Sequence, residues 1–117
     1  MHSEFGLYID GAWEAAHNGA TLPVFSPVSE QVVGQAPAAS IDDTVRAITA
    51  AEAGLKAWSA TPAFTRADAL HAVADEMIRR TSDAGQMMAT ETGKPIAQAE
   101  REWGLATDQL RWYAEEA

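Results

Sequence analysis

From Pro95 to the last residue, Ile96, Ala99, Trp103, Ala106, Leu110, Tyr113 and Ala117 recur at steps of three and four without a break. That spacing marks one face of an α-helix. Leu105 and Trp112 fall off this face and share a second one, because residues seven apart lie two turns along the same side. A helix with two apolar faces needs cover on both, since a contiguous apolar patch left in water is a liability. For so short a chain, that cover is expected from a partner subunit or from further polypeptide. No glycine, asparagine or proline closes the pattern, so a helix cut in mid-pattern is the expectation.

The residues before this helix divide into two stretches. Residues 1–39 read as strands and turns. Phe5, Leu7 and Ile9 alternate with Gly6, Tyr8 and Asp10, and Asp10-Gly11 then separates them from Ala12-Trp13-Glu14. Aspartate-glycine between short apolar runs signals a hairpin, because both positions tolerate positive φ. Leu22 to Phe25 reads as a further strand stopped by Ser26-Pro27, and Gln31 to Ala36 as another closed by Pro37.

Residues 40–117 read as helical. Ser40 is placed to cap, with Asp43 at the third helical position, close to a capping box. Ile41, Val45, Ile48, Ala51, Leu55 and Trp58 form one stripe on the helix that follows. Thr61-Pro62 breaks it, with Thr61 as cap and Pro62 suited to the first helical position. The next helix carries Leu70, Val73, Met77 and Ile78 and is expected to weaken near Thr81-Ser82-Asp83, whose side chains compete for backbone bonds. A short helix with Met87 and Met88 follows, ending at Gly93 as C-cap. Trp58 and Trp103 lie on apolar stripes and are expected in the core. The fold class is therefore α+β, with an amino-terminal hairpin or small sheet followed by three to four helices.

Composition removes several functions. Seventeen acids against eight bases give a net charge of −9, which repels phosphate backbones and makes nucleic acid a poor partner. The absence of cysteine excludes disulfides, thiolate zinc sites and a cysteine nucleophile within these residues. The first ten residues do not form a signal peptide, and no apolar run reaches the ~18 residues of a membrane span, so a cytoplasmic protein is expected.

The search for chemistry yields little. His2, His17 and His71 have no partners at metal-ligand spacing. Asp68 and Asp75 sit on neighbouring turns around His71, an arrangement expected to make a weak surface pair. Glu91-Thr92-Gly93-Lys94-Pro95 superficially suggests a phosphate loop, yet Met88 stands where that loop needs glycine and Pro95 where it needs serine or threonine. There is no GxSxG elbow and no GxGxxG. Glu100 and Glu102 point to different helix faces and form no acid/base pair. No catalytic and no cofactor-binding residue is identified.

The strings LYIDGAW, FSPVSEQVVGQAPAAS, AWSATPAFTRADAL, ETGKP and WYAEEA occur in an order and spacing that resembles the amino end of the NAD(P)-dependent aldehyde dehydrogenases. The resemblance runs from residue 5 to 117, and DQLRWYAEEA looks most like the succinate-semialdehyde branch. It implies that the chain is the amino-terminal part of that family's NAD(P)-binding and oligomerisation region. It also implies aldehyde oxidation through a cysteine thiolate, hydride transfer to NAD or NADP, and hydrolysis assisted by a glutamate. In the family those groups follow the matched segment, so this chain alone is expected to be inactive and to bind no cofactor. Its expected partners are the remainder of a dehydrogenase chain or like subunits in a homo-oligomer. The resemblance further implies that Arg101 and Leu105 face the substrate entrance, and that Val24, Phe25 and Glu91 match a monovalent-cation site. The family's Asn-Pro element is Ser26-Pro27 here. A standalone helical interaction module without enzymatic activity is the alternative expectation.

Overall fold

The computed structural model describes residues 6–117; Phe5 of the first alternation, and His2, lie outside them. The chain divides into two compact units, Met1–Ser59 and Ala60–Ala117.

The first unit holds two separate two-stranded antiparallel sheets and most of one helix. Strand β1 (Leu7–Ile9) pairs with β2 (Ala12–Glu14), Ile9 opposite Ala12 and Tyr8 opposite Trp13. Asp10 and Gly11 turn the chain with φ of 51° and 80°. Two successive positive φ values belong to the tight turn whose twist matches the strands. The Tyr8 and Trp13 rings meet across the strands with centroids 5.0 Å apart. Strand β3 (Thr21–Phe25) pairs with β4 (Val32–Pro37), with a register shift between Val24 and Phe25. Pro23 is tolerated within β3 because each strand of a two-stranded sheet is an edge.

Between these strands Ser26 is buried, at 6% exposure. Its backbone N–H donates to the Gln31 carbonyl at 2.9 Å and its carbonyl accepts from Glu30 at 2.8 Å. Its hydroxyl also accepts from the Val28 and Ser29 amides. A serine side chain thus closes the turn, a local role open to asparagine as well.

Helix α1 (Ile41–Ala60) starts with the expected reciprocal cap. The Asp43 N–H donates to the Ser40 hydroxyl at 3.2 Å, and the Ser40 N–H donates to Asp43 Oδ2 at 2.9 Å. Asp43 is only 1% exposed. It also accepts the Ser40 hydroxyl at 2.8 Å, the His17 amide at 3.1 Å and an Arg46 guanidinium N–H at 3.3 Å. Arg46 reaches on to Glu14 of β2. One carboxylate therefore joins the loop after the hairpin to the start of α1. The expected core stripe of α1 is turned outward: Ile41, Val45, Ile48, Leu55 and Trp58 are all exposed. Periodicity reported the shared face correctly, but not that this unit lacks anything large enough to cover it.

The second unit contains α2 (Ala63–Arg79), α3 (Thr81–Thr92) and α4 (Ile96–Glu115). Helix α4 packs against both others. Pro62 takes the N-cap position of α2, with ψ of 142°, rather than the first helical position. The first amide bonded back to it is that of Arg66, at 3.1 Å. The expected weak stretch at Thr81–Asp83 is instead a sharp joint. Helix α2 ends at Arg79, Arg80 has φ −98° and ψ 9°, and α3 begins at once with Asp83 in its first turn. An acid there faces the positive end of the helix dipole. The Met77 carbonyl beside the joint accepts the Arg80 amide at 3.1 Å and the Trp103 indole N–H at 2.6 Å. Trp103 therefore supplies a partner to a carbonyl that the break exposes.

The seam of α4 is built from small residues. Ala99, Thr107 and Ala114 are buried, facing Ala74 of α2 and Ala84 and Gly85 of α3 as the buried residues of those helices. A Cβ on Gly85 would stand 2.5 Å from Glu100 Cγ. The Thr107 hydroxyl is buried without penalty because it donates to the Trp103 carbonyl at 2.9 Å. This corrects the expected stripe: the buried line runs through Thr107 and Ala114, whereas Ala106 and Tyr113 are exposed. Val73 and Ile78 of α2 also face outward. At Ala114 close helix approach selects a small residue over the bulky Tyr113, and at Thr107 a hydroxyl bonded within the helix lets a nominally polar residue take the buried position.

Two predictions follow from these contacts. Ala99→Leu forces three extra carbons into a closed seam and lowers stability by about 1–3 kcal/mol. Ala106→Leu, on the outside, changes it by less than about 0.5 kcal/mol. Urea denaturation of the two variants checks the ranking, and equal effects would restore the original stripe. The second concerns Asp43, whose carboxyl is held below its ordinary value of 3.8, first by the Ser40 amide, then by the His17 amide and the Ser40 hydroxyl. A group more acidic when folded contributes fully above its unfolded value and loses that contribution as pH falls through the folded value. Protection of the His17 and Ser40 amides, taken relative to the unfolded chain at the same pH, is expected to hold down to about pH 4 and to fall below it. In Asp43→Asn those amides exchange faster at neutral pH, on the order of tenfold, and the acid step disappears.

Candidate functional site

With the small seam of α4 turned inward, its opposite side presents Arg101, Leu105 and Trp112. Arg101 is exposed, Leu105 is 54% exposed and Trp112 60%. The second apolar face expected from Leu105 and Trp112 is thus present and open to solvent. Trp112 meets the neighbouring Tyr113 ring edge-on, with centroids 5.1 Å apart. Around Arg101, one turn away in either direction, stand Ala97, Gly104 and Leu105. A Cβ placed on Gly104 meets nothing within 4 Å. Arg101 therefore shares its side of α4 with small and apolar residues.

The start of this helix is fixed by the turn that superficially suggested a phosphate loop. Gly93 ends α3 in the left-handed conformation, φ 73°, and its amide returns to the Ala89 carbonyl at 2.9 Å. Pro95 then takes the N-cap position of α4. Between them Lys94 is paired with Glu102, two turns into the helix. The hydrogen bond from Lys94 holds the Glu102 carboxyl below the usual carboxylate range, with Gln98 contributing from the preceding turn. Lys94 is thus engaged in bracing its own turn.

The remaining expected residues fall in different units. Val24 and Phe25 lie on β3 in the first unit, Val24 half-buried and Phe25 54% exposed. Glu91 lies exposed in the last turn of α3, in the second unit. Among the described residues no three His, Cys, Asp or Glu side chains gather in a way that could hold a metal ion. His71 is not paired with Asp68 or Asp75 as expected. Its Nε2 meets Glu115 at 2.8 Å, while Asp75 accepts from Arg111 at 2.7 Å. Both partners come from α4, so helix packing outcompeted the local pairs, and such exposed pairs add little stability.

Sequence reasoning missed two polar ties that shape this unit. One is the Trp103 indole on Met77. The other is Arg66, which donates to the Thr61 carbonyl and, at 2.7 Å, to the carbonyl of Ala117. Neither has a local spacing signal, because each joins different elements. Among the described residues no helix is long and apolar enough to cross a membrane.

Comparison with known proteins gives the arrangement its context. Residues 13–117 match the aldehyde dehydrogenase family. The chain is 41% identical over 110 residues to the glutarate-semialdehyde dehydrogenase of Pseudomonas aeruginosa, covering 94% of this chain and 23% of that one. It is 36% identical over 108 residues to an NADP-named succinate-semialdehyde dehydrogenase of Escherichia coli, covering 92% and 22%. The crystal structure of succinate-semialdehyde dehydrogenase from Burkholderia pseudomallei superimposes with a TM-score of 0.93 at 36% identity, covering 97% of this chain and 23% of that one. The chain thus spans about a quarter of the length of the relatives it matches. A match to the family over residues 13–117, together with 41% identity to one of its members over 94% of the chain, shows that this chain belongs to the aldehyde dehydrogenase family.

Proposed function

We propose that this chain forms the amino-terminal part of an NAD(P)-dependent aldehyde dehydrogenase and works only together with polypeptide that supplies the reacting groups. The observation that carries this reading is the unbroken family match over residues 13–117. These residues contain no cysteine to attack an aldehyde. The thiolate, the glutamate base and the nicotinamide-binding loop belong, in this reading, to the remaining three quarters of the enzyme. The cofactor supplies the hydride acceptor. The chain itself supplies scaffold and one side of the substrate entrance, through Arg101 and Leu105 on the outer face of α4.

The exposed surface supports the same reading. Ile41, Val45, Ile48 and Leu55 on α1, and Leu105, Trp112 and Tyr113 on α4, are more than half exposed. Such faces call for cover, which the rest of a dehydrogenase chain or like subunits in a homo-oligomer provide. A cytoplasmic setting goes with this reading.

Two measurements test it. The chain is joined to the carboxy-terminal three quarters of the Pseudomonas aeruginosa glutarate-semialdehyde dehydrogenase. NAD(P)-dependent oxidation by the hybrid is expected, while the chain alone oxidises no aldehyde and shows no saturable tryptophan quenching by NAD. A folded but inactive hybrid, or micromolar quenching of the chain alone, overturns the proposal. Sedimentation of the chain alone is expected to show concentration-dependent self-association; a clean monomer at high concentration counts against uncovered faces and for a self-sufficient module.

A further inference from the structure

The outer side of α4 carries a pattern that reads alike from both ends. Arg101, Leu105, Asp108, Gln109, Trp112 and Glu116 are all exposed. The helical repeat gathers them within about a third of the helix circumference. Helical geometry lasts to the end of the set, because Glu116, at the C-cap, keeps φ −91° and ψ −7°. About the midpoint between Asp108 and Gln109, Arg101 lies as far back as Glu116 lies forward, and Leu105 as far back as Trp112 lies forward. The side chains of Arg101, Asp108, Gln109 and Glu116 make no hydrogen bond or ion pair among the described residues. The cause is local, since neighbours on a helix stand three and four positions away. Around Arg101 those positions hold Ala97, Gln98, Gly104 and Leu105, and before Glu116 they hold Trp112 and Tyr113. Arg111, three positions after Asp108, is paired with Asp75. The acids beside Arg101 are occupied as well, Glu102 by Lys94 and Glu100 against Gly85.

We infer that this side of α4 is a two-fold interface on which a second copy of the chain docks, the two α4 helices running antiparallel. In such an interface one patch serves both copies, and each contact occurs twice. An axis at the midpoint of the pattern sets Arg101 against the partner's Glu116, Leu105 against the partner's Trp112 and Gln109 against the partner's Asp108. The guanidinium presents a planar fork of donors to a carboxylate. The Gln109 amide donates to a carboxylate at the centre. Trp112, its ring edge-on to Tyr113 with centroids 5.1 Å apart, offers a broad apolar surface beside each ion pair. The charges choose the direction: a parallel copy in register would oppose Arg101 to the partner's Arg101. Two chains of net charge −9 repel at long range. At physiological salt that repulsion is screened beyond about 8 Å, so the contacts within the face decide. This assigns a surface to the like-subunit cover proposed above, and it holds whether or not the chain completes a dehydrogenase.

Sedimentation equilibrium of the 117-residue chain and its variants tests the pairing, with circular dichroism to show that each variant keeps its helices. Arg101→Glu alone and Glu116→Arg alone each turn two attractive pairs into repulsive ones, and each is expected to weaken association about tenfold. Mixing these two variants restores opposite charges at both ends, so the mixture is expected to associate as the parent does. The chain carrying both substitutions is expected to do so by itself. Trp112→Ala weakens association at least about tenfold, as loss of a central aromatic does. A parent chain that stays monomeric overturns the inference. So does association that none of the variants changes, because another face then carries it. Weakening that neither the mixture nor the double variant reverses overturns the antiparallel register. Oxidation by the hybrid is read separately, so failure of the pairing and failure of the dehydrogenase reading are distinguishable.

Discussion

The close approach of α4 to α2 and α3 is the constraint on which the rest of the second unit depends. Two helices come this near only where their facing side chains are small, and here the buried positions are Ala74, Ala84, Gly85, Ala99, Thr107 and Ala114. Interiors pack at crystal-like density, so a seam of alanines leaves no room for anything larger. Large apolar side chains such as Val73, Ile78, Leu105, Trp112 and Tyr113 stand outside, while Leu70, Met77, Trp103 and Leu110 are half-buried. The rotation that buries Ala99 and Ala114 also sends Arg101, Leu105 and Trp112 outward. One packing decision thus sets both the stability of the helix group and the chemistry of its free face.

This accounts for what was legible in the sequence and what was not. Local signals read well. Asp10-Gly11, the Ser40–Asp43 cap, Gly93 and the presence of all four helices follow from backbone preferences that a few neighbouring residues determine. Burial read poorly, because hydrophobic periodicity identifies which residues share a face, not which face finds a partner. Ile41, Val45 and Ile48 do share a face, and it is exposed. On α4 apolar spacing points to Ala106 and Tyr113, whereas the buried positions are Thr107 and Ala114. Threonine looked polar, but its hydroxyl bonds back to the preceding turn and its methyl can be buried. The candidate site was legible only as a second apolar face bearing Leu105 and Trp112. That Arg101 makes no pair there among the described residues depends on Lys94 holding Glu102 and on Glu100 lying against Gly85, which no spacing reveals.

The first unit is organised differently. It has no small-residue helix seam, and among its described residues only Ile9, Ala16, Ser26 and Asp43 are buried. Two-stranded sheets are marginal in water by themselves. What gives this unit internal order is polar. Asp43 gathers donors from His17, Ser40 and Arg46, and none of its buried oxygen atoms lacks a partner. A buried carboxylate is tolerable only when so satisfied. Arg46, half exposed, adds geometry more than energy by reaching Glu14 as well.

The same logic of engaged and free charges connects the scaffold to its exposed face. A chain with twice as many acids as bases spends most of its cations on local neutralisation. Glu76 alone takes two arginines and is held below the usual carboxylate range by their hydrogen bonds. Lys94 looks available in a Gly-Lys-Pro string, but its ion pair with Glu102 makes it a brace for the turn between α3 and α4. Glu102, occupied in this way, cannot neutralise the arginine beside it in sequence. The brace thereby has two effects: it fixes where α4 begins, and it leaves Arg101 charged on the face that the small-residue seam turns outward. If Lys94 were lost, Glu102 would be released one residue from Arg101, and both the register of α4 and the charge of its outer face would be open to change. The start of α4 and the charge on its outer face are in that sense one arrangement of three side chains.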